Sequence, residues 1–144
     1  MHKCTILSGK EVSNSVYRSL RGRVENLLKN NIQPGLAAIL VGENPASQIY
    51  INMKTKRFHN LGMKTKTFKL PVNCSQKELI QIIEKVNDDD IYHGILVQLP
   101  LPNHIDSKAI INSINPIKDV DGFHPENAGF LAIGTPRFIP CTPK

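Results

Sequence analysis

The chain of 144 residues contains no tryptophan, only three tyrosines and only three cysteines. The cysteines, Cys4, Cys74 and Cys141, are widely spaced and odd in number, so they favour neither a disulfide framework nor a zinc site and fit a reducing cytoplasm. No apolar run reaches the ~18 residues that a membrane helix needs, and residues 1–10 lack a secretory core. The sequence therefore predicts a cytoplasmic protein that contacts no membrane and binds no metal.

The motifs of several enzyme classes are also missing. Gly42 follows a predicted strand, but the G-x-G-x-x-G spacing of a dinucleotide site is absent. No serine stands in a G-x-S-x-G elbow, and His59, His93, His104 and His124 show no metal-ligand spacing. We therefore expect these histidines to be surface or turn residues rather than ligands.

Acidic residues are scarce in the first half of the chain. Residues 1–72 contain 12 Lys and Arg against 3 Asp and Glu, whereas residues 73–144 contain 6 against 9. The basic half could attract an anion, although an abundance of Lys, Asn and Ile that reflects genome composition explains it equally well. A nucleic-acid partner is disfavoured, because the basic residues are not interleaved with aromatic ones. Steeply salt-dependent binding to DNA or RNA would be its sign.

Apolar residues recur at helical spacing in some segments and form short continuous runs in others. The predicted elements are helix 12–28, strand 36–41, helix 44–62, strand 65–70, helix 75–86, strand 94–99 and helix 106–114. This alternation predicts right-handed βαβ crossovers. The expected fold is α/β, a three-layer α/β/α arrangement with a mostly parallel sheet, in one domain over residues 1–144. After Phe123 we expect an irregular, Gly- and Pro-rich segment without a closing helix.

Polar residues follow the last predicted strand. Its apolar run ends at Gln98 and Pro100, as is typical of a buried parallel strand whose carboxyl end opens onto a pocket. Asp121 lies in the next Gly- and Pro-bounded loop, and such loops meet strand ends in one crevice. Two structural alternatives stay open, since Gln98 could satisfy a nearby backbone group and Asp121 could brace its own turn. Asp119 is the weaker candidate, because on an extended backbone it points opposite to Asp121.

Tyr50 and Lys54 lie four residues apart in the second helix and therefore share one face. If the neighbouring Ile49 and Met53 pack inward, Tyr50 and Lys54 flank them and can face the carboxyl edge of the sheet. The alternative is a Lys54 whose stem covers the core while its ammonium remains in water.

These segments together resemble the bifunctional methylenetetrahydrofolate dehydrogenase/methenyltetrahydrofolate cyclohydrolase family, FolD. The matching segments are residues 44–47 with Tyr50, Lys54 and Lys56, then residues 94–102, 118–125 and 140–143. The resemblance covers essentially the whole chain but only about the first half of a family member, its folate-binding catalytic domain. The family's Rossmann domain, which binds the nicotinamide cofactor and supplies most subunit contacts, has no counterpart in residues 1–144. Arg57 stands where the family usually has a small residue.

The resemblance implies roles for five positions of this sequence. Tyr50 would stack on the folate, Asp121 would accept hydrogen bonds from the amino edge of the pterin, and Pro100 would help to bind the substrate. Gln98 would hydrogen-bond Lys54 and hold it in place. Lys54 would be the catalytic group, because a neutral amine is favoured beside a cationic substrate and could activate water or move its proton.

Two functional hypotheses follow from the resemblance. In the first, the chain is the catalytic half of an enzyme of one-carbon metabolism and purine biosynthesis. That enzyme oxidises methylene-tetrahydrofolate to methenyl-tetrahydrofolate with NADP and hydrolyses the product to formyl-tetrahydrofolate. It would use no metal, its complete form would be a homodimer, and its dehydrogenase step would need the cofactor-binding half. In the alternative, the chain is a truncated, non-catalytic module that binds folate or a partner without turnover.

Overall fold

The structure, a computed structural model, describes residues 8–140 and contains five helices and three strands within them. In chain order these are α1 (Gly9–Lys29), β1 (Gly35–Val41), α2 (Pro45–Asn60), β2 (Lys64–Leu70), α3 (Gln76–Asn87), β3 (Gly94–Val97), α4 (Ser107–Ser113) and α5 (Pro125–Ala132). The chain divides into two compact units, residues 1–33 and 34–144. The one-domain boundary of 1–144 stays a prediction.

The first unit contains α1, which confirms the helix predicted from apolar spacing. Val24 is buried, whereas Val12 is 66% exposed. The helix ends at Asn30, and Asn31 follows with φ of 60°, a left-handed conformation that asparagine tolerates. None of the helices in the described part of the chain is long and apolar enough to cross a membrane.

The second unit is built on a three-stranded parallel sheet in the order β2-β1-β3. All seven residues of β1 are buried, because the strand is central and both of its faces are covered. On one face Leu36, Ala38 and Leu40 pack with Ile51 of α2. On the other face the alternate β1 residues pack with side chains of α3 and α4, among them Leu79, Ile83 and Ile110. The α/β class and its three layers are thus confirmed.

Local capping signals begin the helices of this unit. The Asn44 side chain accepts from Ser47 N at 3.1 Å and caps α2. Ser75 forms a capping box with Glu78, whose pKa is lowered by hydrogen bonds from the Ser75 backbone and hydroxyl. The Asp106 side chain accepts from Lys108 N at 2.9 Å and caps α4. The sequence marks each of these positions, and all three caps form.

Two sequence predictions need correction. Strand β3 ends at Val97, before Gln98 and Leu99, which were predicted to continue it. The segment after Phe123 is not wholly irregular, because α5 spans Pro125–Ala132. Pro125 occupies its first turn, and the His124 ring nitrogen accepts from Glu126 N at 3.1 Å. The Gly and Pro content of the segment obscured these start signals.

Gly35 allows the chain to pack tightly where β1 begins. A Cβ added to Gly35 would lie 1.9 Å from the carbonyl oxygen of Ile91, which is backbone and cannot move aside cheaply. We therefore expect Gly35→Ala to lower the free energy of unfolding by roughly 2–4 kcal/mol, measured by urea denaturation.

Gly22→Ala is the matched control. Gly22 lies inside α1 and a Cβ there would have no neighbour within 4 Å. Alanine favours helix over glycine, so this variant should gain about 0.5–1 kcal/mol. If the two variants are equally stable, the contact with Ile91 does not restrict the side chain at position 35.

Candidate functional site

The helix α2 presents Tyr50 and Lys54 on the same side, one turn apart. Tyr50 is 57% exposed and Lys54 is half-buried. The inward packing of Ile49 and Met53, the condition for that orientation, does not occur, since they are 58% and 46% exposed. Ile51 is the buried residue, at 1% exposure, and a residue two positions away is about 200° around the helix.

The burial of Ile51 places Tyr50 and Lys54 favourably for a binding site. Tyr50 and Lys54 are about 100° and 60° from Ile51 around the helix axis, so both lie beside the side that packs on the sheet. Ser47, one turn before Ile51, is the other buried residue of α2. The single buried stripe Ser47/Ile51 thus decides which way Tyr50 and Lys54 face.

Gln98 follows β3 directly and is half-buried. Its backbone N–H donates to Ile39 O at 2.9 Å, which continues the pairing with β1. Its side-chain Nε2 donates to Leu99 O at 2.8 Å, so part of its role is to satisfy neighbouring backbone. Its Oε1 is buried and has no hydrogen-bond partner in the described part of the chain, Lys54 included. A buried acceptor left unpaired costs about 1–3 kcal/mol, so this oxygen is poised to accept a donor.

Asp121 lies in the loop between α4 and α5, half-buried. Burial raises the pKa of its carboxyl, the charge of Lys54 lowers it, and the charge of Asp119 raises it. Lys54 and Asp121 are therefore close enough for their charges to interact. The loop folding brings together two groups that come from different elements of the sequence.

Asp119 has a structural role, which agrees with its lower rank among the candidates. It is 2% exposed and its carboxylate accepts from Gly122 N at 3.1 Å and from His124 N at 2.8 Å. Asn127, which is fully buried, donates to the same carboxylate at 2.9 Å. Sequence reasoning missed Asn127, because an asparagine inside a short helix carries no signal of burial.

Pro100 follows a cis peptide bond from Leu99 and is exposed.

Lys118 supports the start of the Asp121 loop, donating through Nζ to Asp89 O at 2.9 Å and Val86 O at 3.2 Å. Among the candidate residues, Gln98 keeps a buried oxygen without a partner in the described part of the chain, and Asp121 keeps a half-buried carboxyl that interacts with the charge of Lys54. Pro100 and Tyr50 offer exposed surface to a ligand.

One small cavity lies beside Asp121, and a larger groove is lined by none of the candidate residues. Beneath Asp121 and Phe123 is a cavity of about 10 Å³ lined by apolar side chains of β3 and α4, enough for about one water molecule. A larger open groove of about 560 Å³ lies where β1 and β2 end and contains Glu43, Gln48 and Lys69. The sequence analysis did not foresee this groove, whose lining side chains come from separate elements.

The histidines behave as capping and turn residues. His93 Nδ1 accepts from Gly35 N at 3.1 Å, and His104 Nε2 lies 2.9 Å from Cys74 O. Within residues 8–140 no group of three or more His, Cys, Asp or Glu side chains is arranged to hold a metal ion.

Comparison with known proteins finds one family. Residues 7–121 match the family model described as tetrahydrofolate dehydrogenase/cyclohydrolase, catalytic domain. The chain is 52% identical over 138 residues to a protein of Acetivibrio thermocellus named bifunctional protein FolD, covering 96% of this chain and 48% of that protein. A protein of the same name from Enterococcus faecalis is 48% identical over 139 residues, covering 96% and 50%.

Solved structures show the same similarity. A FolD methylenetetrahydrofolate dehydrogenase/cyclohydrolase from Campylobacter jejuni has a TM-score of 0.93 and 46% identity, covering 96% of this chain and 50% of that one. A FolD structure from Trypanosoma brucei, complexed with NADP cofactor and inhibitor, has a TM-score of 0.92 and 33% identity, covering 98% and 49%. The chain spans about half the length of the curated relatives it matches.

The raised pKa of Asp121 predicts a pH-dependent effect on stability. Because the folded protein binds a proton at Asp121 more tightly than the unfolded chain does, ionisation of this carboxyl destabilises the fold. This penalty is absent below the ordinary pKa of 3.8 and grows as pH rises through the raised value. Asp121→Asn should therefore be more stable than the parent chain at pH 7.

Urea denaturation as a function of pH measures this effect. The difference between parent and variant should disappear as pH falls below about 4. Asp90→Asn, at an exposed position, is the control and should show no such pH-dependent gain. A gain for Asp121→Asn that is the same at every pH would contradict the assignment to burial of the carboxylate.

Proposed function

We propose, from the premise that this chain belongs to the tetrahydrofolate dehydrogenase/cyclohydrolase family, that it carries the folate-binding, catalytic half of a bifunctional enzyme. The complete enzyme would oxidise methylene-tetrahydrofolate to methenyl-tetrahydrofolate with NADP and hydrolyse the product to formyl-tetrahydrofolate. The observation that carries the proposal is the electrostatic proximity of Lys54 and Asp121, next to a sheet edge where Gln98 keeps a buried, unpaired oxygen.

Each candidate residue has a chemical task in this proposal. Asp121 accepts hydrogen bonds from the amino edge of the pterin, and Tyr50 stacks its exposed ring on the folate. Pro100 lines the same site. Gln98 Oε1 accepts a hydrogen bond from Lys54 once the substrate orders that side chain, which removes the cost of the unpaired oxygen.

The hydrolytic step can be derived from these residues alone. The methenyl carbon is bonded to two folate nitrogens and shares a positive charge with them, so it is electrophilic. Lys54 in its neutral form takes a proton from a water molecule as the water oxygen bonds to this carbon. The bond from the carbon to one nitrogen then breaks, that nitrogen receives a proton, and the carbon remains as a formyl group on the other. The net products are formyl-tetrahydrofolate and one proton.

The described residues do not fit the nicotinamide cofactor. A dinucleotide pyrophosphate is held by free N–H groups at a helix N-terminus after a strand, and α2 is such a helix. Its first residue, Pro45, has no N–H, and the Asn44 side chain already accepts from Ser47 N. We therefore derive no hydride-transfer step from this chain. NADP would be bound by the part of the relatives that lies outside the matched half.

We propose three further properties of the complete enzyme from its resemblance to the family. A homodimer and a cytoplasmic location are properties that the resemblance implies for the complete enzyme, together with a place in purine biosynthesis. The alternative function, folate binding without turnover, is favoured by the openness of the site, since Tyr50 is 57% exposed. A turnover assay combined with a measurement of folate binding separates the two functions.

We expect Lys54→Met to abolish cyclohydrolase turnover while folate binding survives. Removing a positioned acid–base group costs ~10²–10⁴-fold in rate, whereas Tyr50, Gln98 and Asp121 would still hold the ligand. The rate is measured as loss of methenyl-tetrahydrofolate absorbance without nicotinamide cofactor and corrected for spontaneous hydrolysis. Tetrahydrofolate binding is measured by calorimetry.

Lys56→Met is the matched control. Lys56 is exposed and lies two residues on, about 200° around α2 from Lys54, so its loss should leave the rate unchanged. Full turnover by Lys54→Met would remove Lys54 from the mechanism. Binding without turnover by the parent chain would favour the non-catalytic alternative, and no binding at all would contradict the proposal.

A further inference from the structure

The loop that carries Asp121 is held by a chain of buried polar groups that reaches α5 and the segment after it. Asp119 is nearly fully buried, and its two carboxylate oxygens accept from Gly122 N and His124 N. These two amides lie immediately beyond Asp121. The carboxylate of Asp119 therefore ties the start of this turn to the backbone that follows Asp121.

Asn127 in α5 makes three hydrogen bonds although it is fully buried. Its Nδ2 donates to Pro116 O at 2.8 Å and to the Asp119 carboxylate at 2.9 Å. Its Oδ1 accepts from Arg137 Nη1 at 3.0 Å. The side chain thereby joins the start of the loop, the clamp at Asp119 and the segment that follows α5.

Arg137 and the two oxygens that accept from Nδ2 together set which way the Asn127 amide faces. If the amide were reversed, Nδ2 would face the guanidinium donors, and Oδ1 would face the oxygens of Asp119 and Pro116. Arg137 is itself anchored by a salt bridge of 2.8 Å to Glu126 and by stacking at 5.0 Å from the Phe130 ring centre. The arginine therefore adds a third partner that favours the orientation in which the amide donates to Asp119.

We propose that Asn127 and Arg137 are positioning residues for Asp121. Arg137 orients the amide, the amide holds the Asp119 carboxylate, and Asp119 fixes the loop from which Asp121 reaches the ligand. The inference rests on the proposed function in taking Asp121 as a folate ligand. Asn127 is fully buried and Arg137 bonds to it, so their loss is expected to act on binding through Asp121.

Arg137→Met tests the proposal, because methionine keeps an apolar stem over Phe130 but has no donor for Asn127. The pKa of Asp121 is measured in the ligand-free chain by NMR titration of ¹³C-labelled aspartate carboxyls. The Asp121 signal is assigned by its absence from Asp121→Asn. Burial is the main cause of its raised pKa, with Lys54 and Asp119 as the charged groups that face it. A loosened loop admits water, so the pKa of Asp121 should fall toward 3.8. Tetrahydrofolate binding, measured by calorimetry, should weaken about tenfold.

Two further variants make the test specific. Glu126→Gln weakens the salt bridge but keeps the bond from Arg137 to Asn127, so it should change neither the Asp121 titration nor binding. Arg137→Lys keeps a charged donor and should restore part of both, but not all. A merely structural role would lower stability without moving the Asp121 titration in molecules that remain folded.

The outcomes also separate this proposal from the proposed function. An unchanged Asp121 titration in folded Arg137→Met overturns the positioning role, whatever the folate result. If the parent chain fails to bind tetrahydrofolate, the proposed function fails, and the titration still decides whether Arg137 positions Asp121. If Arg137→Met does not fold, the titration of Arg137→Lys decides, because loss of the planar fork should shift it part of the way.

Discussion

The burial of β1 on both faces is the constraint on which the rest of the second unit depends. Its seven residues pair with β2 along their whole length and with β3 over four residues, so the strand aligns the ends of its two neighbours. Each fully buried aliphatic side chain contributes about 1.5–3 kcal/mol. Because the side chains on both faces of β1 are apolar, helices must cover both faces of the sheet there. The three layers and the position of α2 follow from this one strand.

Two polar groups of this unit lack the interactions that would offset the cost of their burial. Gln98 keeps a buried oxygen without a partner, and Asp121 carries a carboxyl whose charge is disfavoured by burial. Both features cost stability in the ligand-free chain and would be relieved by a ligand that supplies donors. Unrelieved polar groups in an otherwise well-paired fold are characteristic of binding and catalytic sites.

The two acidic residues of one short loop lie in different surroundings. Asp119 is buried and fully hydrogen-bonded, whereas Asp121 is half-buried and faces the charge of Lys54. The sequence ranks Asp119 below Asp121 as a candidate, and the burial of Asp119 agrees with that rank. That α5 and Asn127 hold Asp119 was not predictable, because their partners Pro116 and Arg137 are set by the folded segment rather than by a local pattern.

Sequence alone determined the elements that depend on neighbours in the chain. The three parallel strands, the caps at Asn44, Ser75 and Asp106 and the Tyr50–Lys54 spacing follow from local periodicity and hydrogen-bonding preference. Tertiary structure alone decided that Ile51 rather than Ile49 faces the sheet and that α5 closes over Asp119. It also brought Lys54 within reach of Asp121. These outcomes depend on burial and pairing between residues distant in the chain, and a local pattern contains no information about such partners.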